Sequence, residues 1–267
     1  MSATQPDIPD RYECYELCVQ SPRHIVSFLR AVHGNRPRVL HEDFAGSGAV
    51  CRYWVREVER RGDGGSGAAV AIDLDEQALA RAVQEARAAG VDRRVELLRA
   101  DVARPLPDRL APPDVVFVGN FSIGYLHTRA ALLDYLRGVK ARLDRGQGGF
   151  GGGVFVCDTY GGAGAFRLGG LTRLHPSRGR DMIRYHWVHE SADPLTGMVE
   201  NSISFRVERD GEVVQEWPRA FVYRWRLWSI AELREAMAEA GFRRPEGYKD
   251  GNVAPDEPAV PVVEPSE

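Results

Sequence analysis

The sequence predicts a three-layer α/β fold, a mostly parallel sheet covered by helices, with an antiparallel β insert after the fifth strand. Three observations lead there. Short β-branched runs alternate with helical patterns between Pro37 and Asp158, a glycine-rich turn follows the first of those runs, and the pattern changes afterwards to hairpin-rich alternation.

The elements follow in order. Residues 1–9 read as a mobile tail, and within residues 11–33 the apolar Ile25, Phe28, Leu29 and Val32 fall at helical spacing, so residues 1–36 form a tail and a helical cap. Strand-like runs lie at residues 39–40, 69–72, 95–98, 115–118 and 154–157. Helical stretches around Trp54 and Val55, at residues 79–88 and at residues 130–143 separate them, and residues 37–160 make the α/β core. Residues 161–228 open with a glycine- and arginine-rich loop and continue as three antiparallel strands at residues 185–188, 203–207 and 221–227. Asp193-Pro194 and Asp210-Gly211 mark the turns. Ser229 with Glu232 three residues on is a capping box, and Leu233, Met237 and Ala240 carry the helix to Gly241, so residues 229–250 hold the last helix and the sheet edge. Residues 251–267, with Pro255, Pro258, Pro261 and Pro265, read as a disordered tail.

Composition narrows the function. A formal charge of −3 and a pI near 6.2 give no long-range attraction for nucleic acid or anionic lipid, so neither is an expected partner. No apolar run approaches the roughly 20 residues of a bilayer span, and the polar N-terminus lacks a signal region, which points to the cytoplasm. Cys14 and Cys18 share a helix face but no second pair with zinc spacing follows, so no metal is expected.

The chemistry concentrates in Val39-Leu40-His41-Glu42-Asp43-Phe44-Ala45-Gly46-Ser47-Gly48, a strand running into glycine-rich backbone and then a helix. Glycine is required where a ligand presses against main chain. Further on, Ala71-Ile72-Asp73 ends the second strand with a carboxylate able to accept both hydroxyls of a ribose. Asp101 after the third strand suits the exocyclic amine of adenine, and Asn120 and Phe121 after the fourth line the same crevice. Asp75, one residue ahead of Glu76, reads instead as a helix N-cap. A nicotinamide dinucleotide fits less well, because the third small residue of G-x-G-x-x-G falls on Cys51 and Glu42 opposes a pyrophosphate.

Together these residues resemble the class I S-adenosylmethionine-dependent methyltransferases, over about residues 37–242. Glu42-Asp43-Phe44-Ala45-Gly46, Asn120-Phe121-Ser122 and Tyr223-Arg224-Trp225-Arg226-Leu227-Trp228 look like a bacterial group of small-molecule methyltransferases of unassigned substrate. The resemblance implies a Rossmann-like methyltransferase fold with S-adenosyl-L-methionine as donor. It also implies Glu42 near the donor's methionine part, Gly46 and Gly48 beneath it, Asp73 on the ribose, Leu74 against adenine, and Asp101 with Val102 at the adenine edge. Phe44 stands where the family has its first motif glycine. The strand pair expected after Phe242 is not evident in residues 243–267, where Tyr248 is a candidate to complete the edge.

The acceptor is a small molecule. Aromatic side chains suit a cationic methyl donor, with Tyr12, Tyr15, Phe121, Tyr125, Tyr160, Trp187 and Tyr223 as candidates, though such residues also build cores. His127 is the candidate general base and Tyr125 its catalytic neighbour; a helix-start histidine facing water is the plain alternative. Arg167, Arg173, Arg178, Arg180 and Arg184, against the single acid Asp181, suit either an anionic group on the acceptor or pairing with surface acids. Arg184, Tyr15, Tyr160, Trp187 and Tyr223 are the acceptor-side candidates. The rival readings are a nicotinamide-dependent oxidoreductase and a non-catalytic donor-binding module.

Overall fold

The computed structural model describes residues 8–34, 36–62, 67–146, 152–162, 164–177 and 179–248. Most of the two expected tails, and Arg178, lie outside these residues. In chain order the elements are α1 (Arg11–Val19), α2 (Pro22–His33), β1 (Val39–Asp43), α3 (Ala49–Arg61), β2 (Ala68–Asp73), α4 (Glu76–Ala88), β3 (Val95–Arg99), β4 (Val115–Val118), α5 (Arg129–Asp144), β5 (Val154–Cys157), β6 (Gly169–Pro176), β7 (Asp181–Asp193), β8 (Met198–Arg209), β9 (Glu212–Arg226) and α6 (Ile230–Glu239). They form two compact units, Ser21–Tyr160 with Trp228–Glu267, and Met1–Gln20 with Gly161–Leu227.

The first unit holds a parallel five-stranded sheet in the order β3-β2-β1-β4-β5. Leu40 pairs with Ala69 and Glu42 with Ala71, while His41 pairs with Val70 and Asp43 with Ile72. Alternation therefore divides these strands between two cores. Leu40, Ala69, Ala71, Val115 and Phe117 pack with Trp54, Val55 and Val58 of α3. Val70, Ile72, Val116 and Val118 pack with Leu132, Leu136 and Val139 of α5 and with Leu233 and Ala236 of α6. Burial on both faces is why β2, up to its terminal Asp73, and β4 read as unbroken apolar runs. The helix signals operate as expected: Asp75 caps α4 by accepting from Gln77 N and Ala78 N, and Ser229 and Glu232 form the capping box of α6.

Polar residues on β1 are buried in this architecture. Asp43 is fully buried and accepts from Arg142 Nη1 at 2.9 Å and from the Tyr135 hydroxyl at 2.7 Å, both groups belonging to α5. His41 Nε2 lies 2.9 Å from Ala111 O, and burial together with the Arg142 charge pushes its pKa down to about 4, so the ring is neutral. Among the described residues no strand follows β9. Tyr248 does not complete a sheet edge but packs edge-on against Phe28 of α2, with ring centroids 5.5 Å apart.

The second unit corrects two expectations. Its antiparallel sheet has four strands, β6-β7-β8-β9, where three were expected. The additional β6 lies in the stretch read as a glycine- and arginine-rich loop; it is largely exposed, so it lacks a buried face and the apolar alternation that would reveal one. The N-terminal cap is two helices in different units. Pro22 starts α2 at its first turn, while α1 lays Cys14, Tyr15 and Cys18 against Ile183, Tyr185, Ile203, Phe205 and Val207 of the antiparallel sheet. Burial pushes the Cys14 and Cys18 thiols up to about 12, so both stay protonated. Among the described residues no helix is long and apolar enough to cross a membrane.

Removing one partner of a buried ion pair strands the other charge. Arg142→Met leaves Asp43 buried without its cation and is expected to cost roughly 3–5 kcal/mol in urea unfolding. Arg99→Met, which breaks an exposed pair with Glu76, is expected to cost less than about 1 kcal/mol. Equal losses in the two variants would refute the special standing of the Asp43 network.

Candidate functional site

The strand order reverses between β1 and β4, and in open parallel sheets this switch opens a crevice beyond the strand carboxyl ends. The loop leaving β1 contains three left-handed residues, Phe44 (φ 58°), Gly46 (φ 54°) and Gly48 (φ 67°). A Cβ at Gly46 would meet nothing within 4 Å, so glycine leaves open room there, whereas a Cβ at Gly48 would lie 3.5 Å from that of Ala71. Phe44 adopts the conformation for which glycine is suited, and its ring is stacked on Tyr125 at 5.8 Å and 23°.

Carboxylates at this edge bind the loops. Asp73 Oδ2 accepts from Gly46 N at 2.7 Å and Oδ1 from Asp75 N at 2.8 Å. Burial raises its pKa, opposed by those backbone hydrogen bonds. Glu42, 4% exposed, accepts from Cys51 N at 3.1 Å. Gly48 caps α3 without a side chain, so Glu42 supplies an acceptor to that helix's first turn from a neighbouring strand. Burial nevertheless dominates and pushes Glu42 up to about 7. Asp101 accepts from Ala103 N at 2.9 Å, and Ala100 N donates to Asp73 O at 3.1 Å, joining the ends of β2 and β3. Val102 is buried in the core that faces α5.

Asp158, just past β5, was missed by the sequence reading. Its Oδ2 accepts from Asn120 N at 3.0 Å and its Oδ1 from Phe121 N at 2.6 Å, and burial pushes its pKa up to about 6. The available signal was positional, since Asp158 follows the fifth strand much as Asp73 ends the second. Perturbed carboxylates gathered at one sheet edge are characteristic of functional sites.

The first unit thus brings together Glu42, Phe44, Gly46, Gly48, Asp73, Asp101, Asn120 and Phe121. Leu74 is 60% and Tyr125 40% exposed, His127 is exposed just ahead of the α5 cap Thr128, and Tyr160 meets Phe121 edge-on at 4.9 Å. Tyr15, Trp187, Tyr223 and Arg184 belong to the other unit. There Tyr15 packs against Phe221 at 5.0 Å, Trp187 is half-buried beside the α1 core, and Tyr223 is stacked on Trp225 at 4.5 Å. Arg184 is engaged by Glu208, with Nε to Oε1 at 2.7 Å and Nη2 to Oε2 at 3.1 Å, and Arg180 lies 3.6 Å from Asp210. The acids missing locally in sequence come from β8 and its turn.

The fold recurs in solved structures. DesVI of Streptomyces venezuelae matches with a TM-score of 0.69 at 17% identity, over 95% of this chain and 97% of that one. The sugar N-methyltransferase KedS8 of Streptoalloteichus matches at 0.62 and 18% identity, over 90% and 88%. CalS10 of Micromonospora echinaspora, an amino pentose methyltransferase solved with S-adenosylmethionine bound, matches at 0.61 and 16% identity, over 90% and 91%. The chain has the Rossmann-like methyltransferase fold. No protein-family model matches the sequence, and no curated protein does. Within this methyltransferase fold the crevice at the β1/β4 switch is the candidate site.

Glu42 gives the site a pH signature. Its raised pKa means that its contribution to stability is full below the ordinary value of 4.5 and is lost as pH rises through about 7. Glu42→Gln removes that ionisation. Between pH 5 and pH 8 the parent should lose roughly 2–3 kcal/mol relative to the variant in urea unfolding. Parallel pH profiles for the two proteins would contradict a buried, perturbed Glu42.

Proposed function

We propose that this chain transfers a methyl group from S-adenosyl-L-methionine to a small-molecule acceptor by direct in-line displacement. The observation that carries the reading is Asp73 at the end of β2, its carboxylate tied to the left-handed Gly46 turn at the switch point. The residues fit the donor. Gly46 leaves open room beside the turn, and the Asp73 carboxylate, with about four acceptor sites, keeps capacity for a ribose hydroxyl beside the backbone N–H groups of Gly46, Leu74 and Asp75. Exposed Leu74 offers an apolar surface to the adenine ring, Asp101 an acceptor for its amine, and Glu42 a carboxylate for the methionine ammonium.

The donor, when bound, supplies a methyl group on a sulfonium, an electrophile that needs no metal. The chain's task is to hold the reacting atoms in line and surround a cation that loses its charge. Phe44, Tyr125, Phe121 and Tyr160 offer aromatic faces for that environment. His127 is the proposed base where the acceptor atom carries a proton. Trp187 and Tyr223 of the antiparallel sheet are proposed to select the acceptor; Arg184, already engaged by Glu208, is a weaker anion clamp than the sequence alone suggests. All four cysteines are free thiols, which suits the cytoplasm. Amino sugars are the first acceptors to assay, because two of the similar structures act on a sugar or an amino pentose.

Calorimetric titration with S-adenosylmethionine and S-adenosylhomocysteine tests the donor site. A charge-assisted pair of hydroxyl bonds is worth on the order of 1.5–3 kcal/mol, so Asp73→Ala should weaken donor binding about tenfold to a hundredfold. Asp75→Ala, a lost helix cap, should cost about 1 kcal/mol of stability and leave the affinity alone. Parental affinity in Asp73→Ala, or a parent that binds a nicotinamide dinucleotide instead, overturns the assignment. The division of labour is separately testable. Trp187→Ala and Tyr223→Ala should change turnover at an unchanged donor Kd, and a large loss of donor binding in either would place the boundary elsewhere.

A further inference from the structure

Asn120 and Phe121 are consecutive, neither is glycine, and both are left-handed, with φ of 54° and 62°. Such a pair is sterically unfavourable and persists only where something over-determines it. Two features of the structure do so. Gly119 packs against the ring of Phe117, where a Cβ would come within 2.7 Å of Cζ, which fixes the approach of the chain. The Asp158 carboxylate then takes both successive N–H groups, Asn120 N at 3.0 Å and Phe121 N at 2.6 Å. A 3-10 turn at Ser122–Tyr125 follows directly, with Gly124 N donating to Phe121 O at 2.9 Å.

Register explains how one side chain reaches two loops. Val118 of β4 lies beside Cys157 of β5, and Asp158 N donates to Val118 O at 3.2 Å, so Asp158 stands next to the residues that leave β4. Both loops emerge on the β4 side of the switch point, facing across it to the Gly46 turn that leaves β1. Convergent backbone N–H groups of this kind form a small anion nest, filled here by the chain's own carboxylate.

We propose that Asp158 is a positioning residue for the methyl donor: its carboxylate holds Asn120 and Phe121 in the left-handed conformation and so shapes the crevice wall that follows β4. The inference rests on the donor-site reading above. Asp158 touches backbone and acts through Asn120 and Phe121. Cys157 beside it is pushed up to about 12 and stays uncharged while Asp158 titrates.

The decisive variant is Asp158→Asn, which keeps one acceptor oxygen and turns an amide donor toward the second N–H. The probe is S-adenosylhomocysteine by calorimetry, at a temperature where urea unfolding shows both proteins folded. A disordered wall should weaken binding by roughly tenfold, the scale of a lost preorganised contact. In the parent, the amide proton resonances of Asn120 and Phe121 should move together with a midpoint near pH 6, and in Asp158→Asn that transition should vanish. A parent that fails to bind S-adenosylhomocysteine refutes the donor-site reading itself. A parent that binds, with Asp158→Asn binding equally well, refutes the positioning role alone, as does a pair of amides that do not titrate together.

Discussion

A carboxylate drawn partly or wholly out of water near the end of a strand has to be met by donors, and burial of such a group without them costs more than most single contacts return. Three carboxylates in the larger unit meet this constraint with backbone N–H groups of neighbouring segments. Glu42 takes the first turn of α3, Asp73 takes the Gly46 turn, and Asp158 takes the two residues leaving β4. Each bond solves a problem for both partners, since the loops and the helix start have N–H groups with no partner within their own element. The carboxyl edge of the sheet is thereby laced together by its own acids, and the crevice takes its shape from them.

The same edge concentrates backbone strain. Phe44, Asn120 and Phe121 are non-glycine residues in the left-handed region, a conformation costing on the order of 1–3 kcal/mol each. Phe44 is retained by stacking on Tyr125, and the other two by Asp158. Beneath the edge, Asp43 joins Arg142 and Tyr135, so the strand that delivers the Gly46 turn is anchored to α5 by a buried ion pair. Specificity of register is one reason for a protein to keep such a pair, because Arg142 meets Asp43 only when α5 packs in one place along β1.

The antiparallel unit is stabilised by different means. One face of its sheet carries the apolar row that packs on α1, while the alternate residues of β7, β8 and β9 pair charges across strands, as in Arg184 with Glu208 and Arg206 with Glu216. Cross-strand pairing brings acids to arginines that are distant in sequence. A local count of five arginines against one acid therefore overstated the positive charge of that segment.

Periodicity and turn chemistry alone determined the five parallel strands, the helices between them, the two hairpin turns, the Asp75 cap and the Ser229–Glu232 capping box, because each depends on residues within a few positions of one another. The strand-end acid Asp73 and the glycines of the first loop were legible for the same reason. Beyond the reach of sequence lay the exposed strand β6, which has no buried face to leave a pattern, and the parting of α1 from α2. The tertiary structure also decided what each carboxylate holds. Asp43 and Arg142 are 99 residues apart and Asn120 and Asp158 are 38 apart. Their pairing follows from strand order and register, which arise from packing the whole sheet between its helices and leave no trace in any local stretch of chain.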